Sequence, residues 1–373
     1  MTFDPIAPSV PPTYRIHLSY EDNYREGPFF QGEIIQRNIR PVRKFIGFDV
    51  NSTFGVPAGP LLNSKWIKTY AELGFDLLVY KTVRTRAHPA HPAPNCLILN
   101  LAGQLGEQDF GYTLVARAGK QAAEPLHTPV SITNSFGMPS KDPEVWQEDV
   151  RIAKSCIQKG QVLIVSVVGT PRTGEDLAED YARGALMAKD AGADMVEINL
   201  SCPNVTTGEG SLYSDPEASS RVAKIVHRAL RGTPLILKMG YLADPATLEK
   251  VILANAPYAE AISSINTLSF KVVTPDGNQA LPGPGRLQSG VCGDGIRSCG
   301  LQQSARIAGI RSRHHLDLSL IGVGGIMTVD DILAYENAGM DGTMSATGAM
   351  WDPFLALKYY RSALVHKQIR SAP

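Results

Sequence analysis

Residues 199–204 read NLSCPN, so Cys202 stands between Ser201 and Pro203, with Asn199 three positions before it and Asn204 two after. A thiol held in such a turn can serve as nucleophile or general base, and flanking amides can hydrogen-bond a flat polar ligand. His88 and His91 lie far off in a proline-rich stretch, so a base aided by a cationic or hydrogen-bonding site fits better than a Cys–His pair. Two cations are available. Lys81 ends the apolar run FDLLVYK, and Lys238 stands near the end of PLILKMG. One lysine at a strand end usually snorkels to the rim. Two facing one mouth, with Asn199 and with Asn266 of AISSIN, would favour a bound carboxylate or a developing negative charge. A further amide, Asn134, opens NSFGMPS, where the backbone N–H groups of Ser135, Phe136, Gly137 and Met138 could meet a carboxylate. A bare Asx-turn is the plainer alternative. Cys96 and Cys156 read as small buried apolar residues.

Glycines point to a second ligand group. Gly324 and Gly325 in GVGGI, and Gly348 after Thr347 in SATGAM, each lie between a β-rich run and a helical one. Turns of this kind hold phosphate on backbone N–H groups, and glycine lets the backbone come close. No nucleoside-triphosphate loop and no histidine spacing suited to a metal is present in the sequence. A phosphate-bearing cofactor such as FMN is expected, and no metal.

Positioning these groups requires many parallel strands. Eight β-rich runs, at 53–59, 75–81, 162–169, 194–200, 234–240, 261–266, 318–325 and 342–347, alternate with segments of helical periodicity. Strands apolar on both faces and each followed by a helix describe a parallel sheet, and eight such units predict a closed (β/α)8 TIM barrel. A doubly wound open sheet is disfavoured because no G-x-G-x-x-G opens the first βα turn. Long connections after strands two and six, at 82–141 and 267–299, leave from the face where barrel enzymes carry their sites. The first reads as a proline-stiffened lid and the second as a glycine-rich loop. Residues 1–40, proline-rich at the start, read as an N-terminal arm wrapping the barrel or a partner subunit, and 41–373 as the cofactor-binding barrel.

Composition excludes several classes. With 36 basic and 36 acidic residues the formal charge is zero, which argues against nucleic acid as the main partner. The five cysteines form no C-x-x-C pair, and the start carries no basic region followed by an apolar run. A reduced, cytoplasmic setting and no membrane association are expected.

The segments VYKT, TNSFGMP, EINLSCPNV, LILKMG, SINT and IGVGGI, at these strand ends, resemble the dihydroorotate dehydrogenases from about residue 45 to 365. Cysteine in NLSCPN is similar to the soluble class 1 enzymes, and SLYSDPE to their homodimeric, fumarate-using branch. The resemblance implies FMN across the barrel mouth, dihydroorotate stacked on it, and oxidation to orotate. Cys202 would remove the C5 proton while the C6 hydride goes to flavin N5. Asn134, Asn199, Asn204 and Asn266 would bond the ring and carboxylate of the substrate. Lys81 would approach carboxylate and flavin, and Lys238 the flavin N1/O2 edge. Ala58, Gly59, Thr267, Gly290, Gly324, Gly325, Thr347 and Gly348 would line the FMN. Departures from the family pattern are Ser140 for asparagine, His88 for arginine, and Cys292 and Cys299 in a run otherwise free of cysteine. They leave open a related dihydropyrimidine or cyclic amide as substrate. A flavin-binding regulator without turnover is argued against by the intact set of Lys81, Cys202 and Lys238.

Overall fold

The computed structural model describes residues 10–35, 37, 43–118, 130–201 and 212–370, with side chains to residue 362. Cys202, Asn204 and the boundary between arm and barrel at 40–41 lie outside the described residues. Arm residues 10–35 pack on the barrel of their own chain. Their helix α1 (Tyr20–Glu26) starts at Ser19, whose Oγ accepts the Asp22 N–H at 3.1 Å, a hydroxyl N-cap. A hairpin of β1 (Arg43–Phe45) and β2 (Phe48–Val50) leads to β3 (Phe54–Val56), α2 (Ser64–Glu72) and β4 (Leu77–Val83). The first long connection carries β5 (Cys96–Ile98), β6 (Thr113–Val115) and β7 (Ser131–Asn134), and ends in α3 (Pro143–Ser155). Then follow β8 (Val162–Val167), α4 (Leu177–Asp190), β9 (Met195–Asn199), α5 (Pro216–Leu230), β10 (Leu235–Met239), α6 (Pro245–Asn255) and β11 (Ala261–Ser264). The second connection carries β12 (Leu268–Val273) and β13 (Gln288–Gly293), followed by α7 (Arg297–Arg313). The chain closes with β14 (Ser319–Val323), α8 (Val329–Asn337), β15 (Gly342–Met344), α9 (Thr347–Trp351) and α10 (Leu355–Arg370).

Strands β3, β4, β8, β9, β10, β11, β14 and β15 pair in that order, all parallel, and close on themselves. This is a TIM barrel, as the alternation predicts, and each predicted run overlaps one barrel strand, β4 running on past residue 81 to Val83. Inside it, Leu77, Val79, Ile164, Ile236, Ile321 and Met344 form an apolar plug with Phe45 and Val50 of the first hairpin. That hairpin precedes the first barrel strand, so it seals the N-terminal end, and the plug leaves the opposite mouth for polar side chains.

The two long connections depart from the sequence expectation of a lid and a loop. Their strands join into one sheet over the mouth, in the order β5-β7-β13-β12-β6. Each carries only short strands, interrupted by prolines and glycines, so neither has the periodicity to be read alone; the pairings β7–β13 and β6–β12 that join them come from the other connection. His88 and Ser140, read as departures beside the substrate, exchange both backbone hydrogen bonds with each other, at 2.8 and 2.9 Å.

Candidate active site

The strand ends of the mouth deliver their side chains into one cleft. Lys81 stands inside β4 and not at its end, its N–H donating to Leu61 O at 2.9 Å. Asn199 and Lys238 are cross-strand partners on β9 and β10, and Lys238 pairs in turn with Ser263 on β11. Lys238 Nζ donates to Ser263 Oγ at 3.3 Å. Asn266 follows β11, and its Nδ2 donates to Ser201 O at 2.7 Å and Ser201 Oγ at 3.1 Å. The Ser201 N–H donates to Asn199 Oδ1 at 3.1 Å. Ser201, the residue before Cys202, is thus held by Asn199 of its own strand and by Asn266 from beyond the end of β11.

The stretch 134–138 is held by its carbonyls. Ser135 O accepts from Arg286 Nη2 at 2.6 Å, Phe136 O from the His91 N–H at 3.0 Å, Gly137 O from Arg84 Nη2 at 3.3 Å and Met138 O from Arg84 Nε at 2.9 Å. A trans peptide sets its C=O and the next N–H on opposite sides, so the N–H groups of Phe136, Gly137 and Met138 point away from those donors. The Ser135 N–H is not among them, since it donates to Asn95 O at 2.9 Å. Asn134 is not a simple Asx-turn residue either: its Nδ2 donates to Cys292 Sγ at 3.2 Å. Ser140 is turned away from this stretch, its Oγ accepting the Arg84 N–H at 3.1 Å and donating to Lys141 O at 2.9 Å.

Glycine turns frame the other side. Gly325 has φ +71°, and a Cβ there would meet Arg297 Cα at 2.5 Å, so only glycine is accommodated. Gly324 O is tied by the Tyr335 hydroxyl at 2.5 Å. At Gly59 a Cβ would meet nothing within 4 Å; it would enter the open cleft. The N–H groups just ahead of α8 are not available to a phosphate, because Met327 and the N-cap Thr328 donate theirs to Asp331 Oδ2 at 3.0 and 2.9 Å. The anion-binding expectation narrows to the Gly324–Gly325 turn and to Thr347.

The cleft encloses about 1230 Å³ of empty space, part of it open to solvent. Lys81, Asn134, Phe136, Gly137, Met138, Asn199, Lys238 and Asn266 line it together with Ala58, Gly59, Thr267, Gly324, Gly325 and Thr347. Ser135, Gly290 and Gly348 stand behind the lining. Gly290 faces Asn134 across the β13–β7 pair, and a Cβ on it would collide with Thr267; a Cβ on Gly348 would collide with Ile326 O.

Four ionisable lining residues, Tyr14, Cys96, Glu197 and Cys292, were not among the candidates read from sequence. Glu197 is buried on β9, and its Oε1 has no hydrogen-bond partner among the described residues. Burial pushes its carboxyl up, against the opposing pull of Lys238 and a hydrogen bond from Ser166. Burial likewise pushes Lys238 down to about 8, with Glu197 acting to raise it. The acid was legible in principle, since it alternates with Asn199 in an otherwise apolar strand. Cys96 and Cys292 are free thiols whose pKa burial raises. Cys299 points elsewhere, its Sγ on Leu105 O at 3.4 Å. Tyr14 comes from the arm. Thr13 N donates to Met350 O at 2.9 Å and Thr13 Oγ1 meets Tyr70 OH at 2.6 Å. That anchor sets the Tyr14 ring edge-on to Phe136, with centroids 6.0 Å apart. No pattern in the sequence links the arm to the mouth.

A profile of the dihydroorotate dehydrogenase family matches residues 42–358. The chain belongs to this family. It is thus an oxidoreductase of the dihydroorotate dehydrogenase type. A protein of Dictyostelium discoideum named dihydroorotate dehydrogenase is 40% identical over 94% of this chain and 97% of its own length, so that the likeness extends into the arm. A dihydroorotate dehydrogenase A (fumarate) of Limosilactobacillus reuteri is 30% identical over 46% of this chain and 53% of its own. The catalytic subunit of a dihydroorotate dehydrogenase B (NAD(+)) of Alkaliphilus oremlandii is 29% identical over 59% and 67%. Among the described residues no helix is long and apolar enough to cross a membrane, and no cluster of side chains suits a metal ion.

Proposed function

We propose that this chain oxidises dihydroorotate to orotate on FMN held in the mouth of the barrel, with Cys202 as the base. The observation that carries this reading is the single cleft lined by two lysines, three asparagines and the Gly324–Gly325 turn. The residues fit the cofactor. Gly59 leaves room for a flat ring to lie on the backbone, and Gly324, Gly325 and Thr347 offer the place for its phosphate. When bound, FMN supplies a ring that accepts hydride from the substrate.

The chain's own residues do the rest. Asn199 and Asn266 orient the substrate amides and at the same time fix Ser201, the residue before Cys202. The N–H groups of Phe136, Gly137 and Met138, with Lys81, receive the substrate carboxylate. Cys202 Sγ takes the proton from C5. The Lys238 ammonium faces the negative charge that oxidation leaves on the cofactor side. Of the departures that left open a substrate without the carboxylate, His88 and Ser140 bond to each other and do not line the cleft, whereas Cys292 does. Anaerobic addition of dihydroorotate to the purified protein tests the reading: the flavin spectrum should bleach. FAD in place of FMN, no flavin, or a spectrum left unchanged by dihydroorotate would refute it.

A further inference from the structure

One layer of the barrel interior is polar where the layers beneath it are apolar. Ser166, Glu197, Lys238 and Ser263 lie on the consecutive strands β8, β9, β10 and β11, and all four are buried. Ser166 is the cross-strand partner of Glu197, and Ser263 that of Lys238. The row is tied at its ends by the Ser166 hydroxyl on Glu197 and by Lys238 Nζ on Ser263 Oγ at 3.3 Å. It sits on the plug of Val79, Ile164 and Ile236, and Glu197 and Lys238 both line the cleft above. Among the described lining residues the ionisable groups are Tyr14, Lys81, Cys96, Glu197, Lys238 and Cys292. Glu197 is the one carboxylic acid in that set.

We propose that Glu197 is a positioning residue that keeps Lys238 protonated under the occupant of the cleft. A lysine buried this far from water favours its neutral form, and a neutral amine cannot hold an anion. An acid on the neighbouring strand reverses that preference without touching the ligand. The unpartnered Oε1 is what such a role requires, since an acid with all its lone pairs satisfied by neutral donors would have less to gain from the ammonium. The serine hydroxyls complete the layer by orienting each charge along the row.

The inference rests on the FMN reading for its purpose but not for its first test. NMR of the lysine side chains, with Lys238→Met assigning the resonance, follows the Lys238 titration in the purified protein. In Glu197→Gln the midpoint should fall by about one pH unit or more. Glu197→Asp, with a shorter carboxylate, should fall between the two, and it carries the test if the glutamine variant does not fold. In protein loaded with FMN, Glu197→Gln should bind sulfite more weakly, about twofold at neutral pH and approaching tenfold by about pH 9, because the adduct leaves negative charge on the ring and the variant's Lys238 has lost its proton there. In a Lys238→Met background the same substitution should add nothing. An unmoved Lys238 midpoint, or an equal sulfite effect in both backgrounds, would overturn the proposal. Wild-type protein that takes up no FMN would overturn the functional reading alone.

Discussion

Asn266 Nδ2 donates to Ser201 O at 2.7 Å, so a residue just beyond β11 holds the residue next to Cys202. The amide proposed to bind substrate therefore also sets where the base begins its loop. Asn266→Ala should weaken orotate binding by more than one lost hydrogen bond, about tenfold or above. It should also speed alkylation of Cys202 by loosening the turn. Titration of the flavin absorbance with orotate and timed iodoacetamide labelling read the two effects. Weaker orotate binding without faster labelling would mean that the two roles are separate.

Cys202 and Cys292 should separate by chemistry. Cys202→Ser should keep the cofactor and bind orotate but be reduced by dihydroorotate about a hundredfold or more slowly near neutral pH, since a serine hydroxyl holds its proton far more tightly. Cys292→Ser should change the rate little, because a hydroxyl can also accept from Asn134 Nδ2. Stopped-flow bleaching compares them. A Cys202→Ser enzyme reduced at the wild-type rate would move the base elsewhere.

Tyr14 offers a stability test. Its hydroxyl is buried and has no hydrogen-bond partner among the described residues, and burial drives its pKa far up, so it remains a neutral donor. Tyr14→Phe removes the unsatisfied group and keeps the edge-on ring contact with Phe136. It should leave stability unchanged or raise it by about 1 kcal/mol, as read by urea unfolding. A loss of stability would show that the hydroxyl is engaged within the protein. Tyr14→Ala should cost about 3 kcal/mol or more through the cavity it leaves.

What could be read from the sequence was local. The barrel follows from apolar runs whose neighbours in the sheet are also their neighbours in the chain, and Lys81, Asn199, Lys238 and Asn266 are legible because strand ends on one face must converge. The sheet over the mouth was hidden because β7 pairs with β13, whose Gly290 lies opposite Asn134 across a long separation. Gly290 and Gly348 look like ligand glycines in the string, yet each makes room for a protein neighbour. Tyr14 was invisible because its place depends on Thr13 reaching Met350 at the far end of the chain.

Lys238 should leave a mark on stability against pH. Its folded pKa of about 8 lies below the ordinary 10.5. The unfolded chain therefore binds more protons between those values, so the contribution of Lys238 is fully present above about 10.5 and is lost as pH falls through about 8. The unfolding free energy of wild type minus that of Lys238→Met should accordingly rise with pH across this window, by on the order of 3 kcal/mol. Chemical denaturation of flavin-free protein at several pH values measures it. A flat difference would place the ammonium in water, and one that falls with pH would mean that the protein favours the ammonium over the amine.

The electron acceptor follows from what the mouth can admit. The described part of the arm is a short helix and extended chain held to the barrel through Thr13, whose N–H donates to Met350 O at 2.9 Å. It offers no long apolar helix to carry a quinone from a bilayer. The relative named for NAD is called a catalytic subunit. A small dicarboxylate needs neither such a helix nor another subunit. It can enter after orotate leaves, rest its carboxylates on Lys81 and the N–H groups that bound the substrate carboxylate, and take the electrons in the same cleft. Fumarate has that chemistry, and a relative bears its name. The isolated chain is expected to turn over dihydroorotate with fumarate, and Lys81→Ala to raise KM for both about tenfold, because both lean on one cation. Photoreduced protein mixed anaerobically with fumarate, NAD or a short-chain quinone in separate runs decides it: reoxidation by quinone or NAD and not by fumarate would show the assignment to be wrong.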